Sequence, residues 1–596
     1  MDESSPYRTW STATDQAEGE PARTDVIIVG SGPTGVGTAV MLARHGIQVT
    51  VITRETWVAD SPRAHITNQR TMEVLRAVGL EPAVRAQAAP RETMASQVVA
   101  TAFTGTELGR AWSWGNNPAR QGEYLTASPT DGCDIPQNRL EPILLGEAAR
   151  LGARIRFQTT CTGFEQDADG VTVHVVDGVT GKAETLRTAF VVAADGGQSR
   201  IARALEIPFE GEVGIAPAMN ISFTADLSHL VAHRPGSLYE IIQNRPEGPT
   251  RAMIRMVRPW NEWSASLVYL GGRTEALTPE EAEEELRLAI GDDSVKITVT
   301  GLYPWRINRL VASRYSEGRV FLAGDAAHRH PPTNGLGANT CIQDGFNLAW
   351  KLAFVVKGQA GPGLLETYSD ERQPVGTQIV NRAVDSWGLG MGLLPAMGLN
   401  PAASFEERSA TFAELGEDSD AGEARRSALR AVLDEESYIF EAHGVEMNQV
   451  YRSGAVVGDG SELTYDRDPQ LYIQPTSHPG ARIPHALVGD ATRTVSTLDL
   501  VGQERFTLVT RDRGGQWIDA AAAVASDLGI EIATVKIGHA GDVQDLYGDF
   551  GRRSEIGEAG CLLVRPDQHI AFRSAGLADD PAVTLRAALA QVLDRN

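Results

Sequence analysis

The sequence is poor in cysteine, in basic charge and in long apolar runs. Its 596 residues hold four cysteines (Cys133, Cys161, Cys341, Cys561), none in a CxxC or a metal-ligand spacing. That pattern argues against a disulfide framework and a zinc site, and isolated buried thiols are expected. No apolar stretch reaches the roughly 18–20 residues a membrane helix needs; the greasiest, 388–399, is short and contains Pro395. Lys and Arg number 54 against 77 Asp and Glu, a net charge of −23. This sign repels nucleic acid and anionic membranes and argues against both as partners. The first residues are polar and acidic (Asp2, Glu3, Asp15, Glu18, Glu20), without the basic flank and apolar core of a secretory leader. A cytoplasmic protein with a loose tail over 1–24 is expected.

The length exceeds the roughly 250–300 residues at which single cores stop growing. With 42% apolar and 22% charged residues, the composition is that of a soluble globular protein. The first strong pattern is Asp25-Val-Ile-Ile-Val-Gly30, a buried parallel strand by its β-branched run. Gly30-Ser-Gly32-Pro-Thr-Gly35 follows, then an apolar helix through Arg44, then the strand Val49–Thr53. Strand, glycine turn, helix and strand within about 30 residues are the context a dinucleotide fingerprint requires. Glycines let the backbone approach a pyrophosphate, and the helix N-terminus offers it free N–H groups. The acidic ribose-binding residue expected after the second strand is absent, because Thr53 occupies its slot. Arg54 or Glu55 either substitutes for it or forms a solvated charge pair.

From about 217 to 301 the texture turns to β-type alternation with aromatics (Tyr239, Trp260, Trp263, Tyr269). Residues 170–176 and 184–192 read as paired strands, and 366–400 as helical. The charged, Ala-rich stretch 404–436 reads as solvent-exposed helix or linker. The last 120 residues show β, α, β, then a hairpin across Arg565-Pro566-Asp567-Gln568, then a helix capped by Asp580-Pro581. That order is thioredoxin-like, but Arg511–Gly515, where the fold normally carries CxxC, has no cysteine.

Two further motifs stand in order. One is Val191-Val-Ala-Ala-Asp195-Gly-Gly-Gln-Ser199-Arg-Ile-Ala-Arg203. The other is Gly318 to His328 with Gly324-Asp325, continuing Pro331-Pro332-Thr-Asn-Gly335-Leu-Gly337-Ala338-Asn339. With these the chain resembles the FAD-dependent aromatic hydroxylases, single-component flavoprotein monooxygenases, over about residues 24–400. The C-terminal unit extends the resemblance to the phenol hydroxylase and dichlorophenol monooxygenase branch, and Ser61-Pro-Arg-Ala-His65 with His330-Pro-Pro-Thr-Asn-Gly looks closest to the chlorophenol enzymes.

The resemblance implies roles. Gly30, Gly32, Pro33, Thr34 and Gly35 would cradle the FAD pyrophosphate. Asp195 would sit near it and assist the nicotinamide. Asp325, after Gly324, would bond a ribityl hydroxyl. Backbone N–H groups around Gly337, Ala338 and Asn339 would face the flavin N1 and C2 carbonyl, beside Pro332. Arg63 and Gln137 either contact the flavin or make structural bonds. His65 stands where this branch places an acidic residue that helps deprotonate the phenol. It is either that base or a packed histidine. Tyr239, Met253, Arg255 and Pro331 are the substrate-contact candidates. His328 and His330 have no third ligand at a useful spacing, so no metal is expected.

The expected fold is α/β: a Rossmann-like FAD-binding domain (25–215 and 301–403), an inserted β-sheet substrate domain (216–300), a helical linker (404–475) and a thioredoxin-like domain (476–596). The expected activity is hydroxylation of a phenolic substrate, ortho to its hydroxyl, using O2 and NADH or NADPH through a C4a-hydroperoxyflavin. A homodimer or higher homo-oligomer is expected, with the C-terminal domain serving docking or dimer contact. Three rivals stand beside this: a hydroxylase of a large polyketide or antibiotic, a flavin halogenase (for which no WxWxIP stretch is present), and a non-catalytic binding protein on the same scaffold.

Overall fold

The computed structural model describes residues 24–268 and 276–595. The acidic stretch read as a tail, save Thr24, and Tyr269 lie outside them.

The apolar runs Val26–Val29 and Val49–Ile52 are buried along their whole length. They pair in parallel, and Val26–Val29 pairs in parallel with Phe190–Ala193 on its other side. Val320–Leu322 and Arg154–Arg156 extend the parallel sheet, and Ser316–Glu317 closes one edge antiparallel. Strands buried on both faces need apolar residues at every position, and these have them. The helix Pro33–Arg44 begins directly after the first strand and packs between it and the long helix Gly337–Val356, which is buried over most of its length. The stretch 184–192 serves two sheets. Ala183–Thr188 pairs with Val171–Asp177, whereas Phe190–Ala193 crosses into the parallel sheet.

The second layer is an eight-stranded sheet, and it is wider than the insert expected over 216–300. Its strands run in the order His328–Arg329, Thr298–Ala312, Phe209–Thr224, Glu262–Val268, Gly248–Arg258, Leu238–Arg245, Ser96–Ala100, Glu107–Trp112. The last two come from far upstream, and Ser96–Ala100 joins by a parallel pairing to Leu238–Arg245. The two long strands Phe209–Thr224 and Thr298–Ala312 stay paired from Phe209↔Ala312 to Thr224↔Thr298, with register shifts between Glu212 and Ala216 and between Ser222 and Phe223. Each strand sends alternate side chains to opposite faces. On Gly248–Arg258, Ile254 and Met256 enter a buried core with Met219, Ile221, Phe223 and Trp263, while Arg251, Met253 and Arg255 face a cleft.

The stretch expected to be exposed helix or linker forms the helices Phe405–Ala413 and Asp420–Phe440. Leu429, Leu433, Glu436 and Phe440 recur at helical spacing and are buried. The C-terminal unit has strand order Ile532–Lys536, Phe506–Thr510, Cys561–Val564, Ile570–Ser574, parallel in the first pair and antiparallel in the others. The helices Gly515–Leu528 and Pro581–Val592 pack together on it, and Asp580 caps the last helix by accepting the Val583 N–H at 3.0 Å. This is the thioredoxin arrangement, and it docks on the parallel-sheet part of its own chain. Phe506 meets Trp350 and Phe354 edge-on, with ring centroids 5.8 and 5.6 Å apart.

Candidate active site

A cleft of about 1770 Å³ opens at the C-terminal ends of the parallel strands and runs along the free face of the eight-stranded sheet. Open parallel sheets bind ligands at this edge.

The glycine turn lines one end. Gly30 has φ +113, and a Cβ there would sit 2.1 Å from the Ala194 carbonyl oxygen. A Cβ on Gly35 would sit 1.9 Å from the Gly30 oxygen, so the helix can lie this close to the strand only without a side chain. Gly32 differs: nothing stands nearer than 3.9 Å to a Cβ, so the missing side chain leaves open space in front of the helix N-terminus. Pro33 takes the first helical position, where no N–H is needed, and Thr34 follows it in the cleft wall. This cradle fits a pyrophosphate.

Thr53, in the acidic slot, is buried and accepts a hydrogen bond from the Ser31 hydroxyl at 3.1 Å. Arg54 and Glu55 pair with each other at 3.0 Å, mostly in solvent, while lining the cleft mouth. Asp195 accepts the Arg200 N–H at 2.9 Å through Oδ2, and its buried Oδ1 has no partner among the described residues. Asp325 projects exposed into the cleft from the short turn Gly324–Ala326.

Gly337, Ala338 and Pro332 line the next section. Asn339 does not. Its side chain accepts the Asn68 N–H (2.9 Å) and donates to the carbonyls of Ile66 (2.8 Å) and Gly335 (2.6 Å), fastening this helix start to the His65 loop. Gln137 donates its N–H to the Arg63 carbonyl at 2.8 Å and its side-chain amide to Glu141 at 2.5 Å. Both Arg63 and Gln137 line the cleft. His328 turns away to Asp344 at 2.9 Å, and His330 lines the wall.

His65 joins an ordered group. The two-residue strands Ile66–Thr67 and Cys133–Asp134 pair antiparallel and bring two distant loops together. His65 Nδ1 lies 3.2 Å from Asp134 Oδ1, and Arg255 Nη2 donates to Asp134 Oδ2 at 2.7 Å. His65 Nε2 makes no hydrogen bond among the described residues. Burial raises the Asp134 carboxyl, but Arg255 and His65 outweigh it and hold the group at about 2. Burial and then Arg255 lower the His65 pKa, with Asp134 and the Pro62 carbonyl working the other way. At neutral pH the group is thus a neutral imidazole oriented by a carboxylate. The Arg255 guanidinium also lies over the Trp114 ring at 5.0 Å. Met253 and Trp114 line the same wall.

Two substrate candidates fall elsewhere. Tyr239 points to the opposite face of the sheet, 1% exposed, packed on Phe103 and Trp263. Its hydroxyl accepts the Gly236 N–H and donates to the Arg234 carbonyl. One residue of register places it in the core, whereas its neighbour Leu238 faces the cleft. Tyr239→Phe is expected to cost about 1 kcal/mol of stability and to leave the substrate KM unchanged; a raised KM would return it to the site. Pro331 is buried behind the wall, next to Pro332.

Asp134 was not singled out from sequence. Its one signal is position, three residues before Gln137. Glu436 was missed too, although a glutamate on an apolar helical stripe marks a buried carboxyl.

Residues 23–383 match the family described as FAD binding domain, and 476–596 match aromatic-ring hydroxylase, C-terminal. The chain is 45% identical over 581 residues to a 2,4-dichlorophenol 6-monooxygenase of Cupriavidus pinatubonensis, covering 96% of both. It is 43% identical over 568 residues to a phenol 2-monooxygenase of a Pseudomonas species, covering 94% of this chain and 91% of that one. Among solved structures, the flavin-dependent monooxygenase PieE in complex with FAD and substrate superposes with a TM-score of 0.91 at 41% identity, over 96% of this chain and 99% of that one.

Proposed function

Because the chain belongs to the FAD-binding aromatic-ring hydroxylases, we propose that it hydroxylates a phenolic ring ortho to the existing hydroxyl, using O2 and NADH or NADPH. The balance is one oxygen atom into the ring and the other into water, with the nicotinamide supplying two electrons. The observation that carries the reading is the unpartnered His65 Nε2 in the cleft, with Asp134 and Arg255 fixed behind it.

The residues that would hold FAD are the Gly30–Gly35 turn at the pyrophosphate, Asp325 at the ribityl chain, and the Gly337 and Ala338 N–H groups at the ring. That helix start favours negative charge on the ring. The chemistry the flavin supplies when bound is acceptance of hydride from the nicotinamide and delivery of one oxygen atom from O2. The protein's own part is to make the substrate electron-rich. His65 Nε2 accepts the phenol proton. Asp134 holds Nδ1–H and stabilises the imidazolium that results. Arg255 keeps Asp134 ionised, and its charge favours a phenolate nearby. The sheet face and Trp114 position the ring and exclude water.

His65→Ala is expected to lower kcat/KM by roughly 10²–10⁴-fold, and Asp134→Asn to lower it less. The free imidazole is the active form, so the wild-type rate rises with pH through an acid limb set below an ordinary histidine and is flat above it. His65→Ala should lose that limb. Substrate-stimulated NAD(P)H oxidation across pH, with product mass, checks this. A parent rate at every pH in His65→Ala removes the base, and a mass gain other than one oxygen atom removes the hydroxylase.

A further inference from the structure

The cleft continues beyond the His65 group. On the strand Gly248–Arg258 alternate residues face it, so Arg251 lies about 13 Å from Arg255 at roughly 3.3 Å per residue. At this far point Arg251 is ion-paired with Glu240 and donates to the Gly390 carbonyl at 2.7 Å. The Gln97 amide donates to Glu240 as well. From the facing helix Asp420–Phe440 comes Glu436, whose side chain lines the cleft. Glu436 is 0% exposed, yet neither carboxyl oxygen has a hydrogen-bond partner among the described residues. The Ser386 hydroxyl and the Gln97 side-chain oxygen, also buried, lack partners too, and both residues line the cleft. Ser386 stands four residues before Gly390, on the same face of its helix.

Glu240 takes the charge of Arg251. Burial first, then the charge of Glu240, pushes the Glu436 carboxyl well above the carboxylate range, against a smaller pull from Arg251. Of the two buried carboxyls, Glu240 has the cation beside it and Glu436 does not, so burial favours the neutral form at Glu436. Glu436 therefore presents a neutral carboxyl, one O–H donor and one carbonyl acceptor. A buried polar group left unpaired is costly. Three such groups lining one cleft call for a molecule that completes them.

We propose that Glu436, with Ser386 and Gln97, forms a second polar subsite that hydrogen-bonds a hydroxyl or carbonyl oxygen at the end of the substrate remote from the ring being hydroxylated. This rests on the phenol-hydroxylase reading and narrows the substrate to an extended, uncharged, multi-ring phenol with oxygen functions at both ends. A single-ring phenol against His65 does not reach Glu436. An ammonium group is a poor match, because the facing carboxyl is neutral and Arg251 is adjacent.

The test is calorimetric titration of the FAD-loaded enzyme with 2,6-dihydroxyanthraquinone, 2-hydroxyanthraquinone and phenol. The wild type is expected to bind the dihydroxy compound about tenfold more tightly than the monohydroxy one. Glu436→Gln keeps a donor and an acceptor and should retain most of that preference. Glu436→Leu should abolish it, and the milder Ser386→Ala should reduce it. Bound FAD in each variant shows that it has folded. Equal affinities in the wild type, or a preference that survives in Glu436→Leu, overturn the subsite and leave its groups to water. Hydroxylation by the wild type is followed in parallel. Turnover without the preference defeats only the subsite, whereas no turnover of any of the three compounds defeats the hydroxylase reading.

Discussion

Arg565→Ala is expected to lower stability by about 3–5 kcal/mol, the cost of breaking a buried ion pair from one side. Arg565 is fully buried in the C-terminal unit. It donates to both oxygens of Glu371 on the helix Gly363–Gly390, at 2.6 and 2.9 Å, and to Asp567 at 3.0 and 2.5 Å. Lys351 reaches Glu371 at 2.7 Å from the helix Gly337–Val356. Without the guanidinium, two buried carboxylates face one ammonium. The loss should appear as a lower urea midpoint, and as proteolytic release of the C-terminal unit. Arg565→Lys keeps the charge without the two-pronged geometry and should lose less. The sign with pH follows from Glu371. Burial raises its carboxyl, but Arg565 and Lys351 outweigh that and hold it well below the usual range. The stabilisation is therefore complete above the ordinary glutamate range and fades as pH falls below it. An unchanged midpoint in Arg565→Ala would show that this contact does not hold the unit in place.

Gly35→Val is expected to yield protein without FAD. The new side chain would begin 1.9 Å from the Gly30 oxygen and 3.3 Å from an Ile28 methyl, so the helix must leave the strand. Overpacking at such a contact costs about 3 kcal/mol, and the loss of the cradle should weaken FAD by on the order of a hundredfold or more. Gly32→Ala separates the two effects. Its methyl meets nothing within 3.9 Å, so the fold should stand while the methyl occupies the space kept for phosphate. Melting temperature and flavin released on denaturation read the two properties independently. A yellow Gly35→Val protein with wild-type flavin content would remove this account of the turn.

The dinucleotide end of the cleft is legible in sequence because its physics is local. Gly30, Gly32, Gly35 and the helix after them lie within a few residues, and their steric requirement shows in the residue types. The His65 end is not, because it is assembled by pairings between distant segments. Asp134 meets His65 across 69 positions through a two-residue strand pair, and Ser96–Ala100 joins a sheet whose members other than its neighbour Glu107–Trp112 lie more than 100 residues downstream. Tyr239 shows the limit of composition. An aromatic in a strand is equally at home on either face, and only the register decides between core and cleft. Glu436 was hidden in a charged stretch, although the spacing of Leu429, Leu433 and Phe440 around it is that of a buried helix face.

The paired strands Phe209–Thr224 and Thr298–Ala312 act mechanically as a girder. One end, at Phe209↔Ala312, leads into the strand Ser316–Glu317 at the edge of the parallel sheet, and the other lies among the strands of the substrate face. Its hydrogen bonds stand in parallel, so hinging the cleft open would shear many of them at once. The ladder is interrupted at two register shifts, between Ser222 and Phe223 and between Glu212 and Ala216, and beside the latter Gly211 and Gly214 take positive φ angles of +120 and +71. Away from these points the continuous ladder resists any motion that would pull the two layers of the cleft apart.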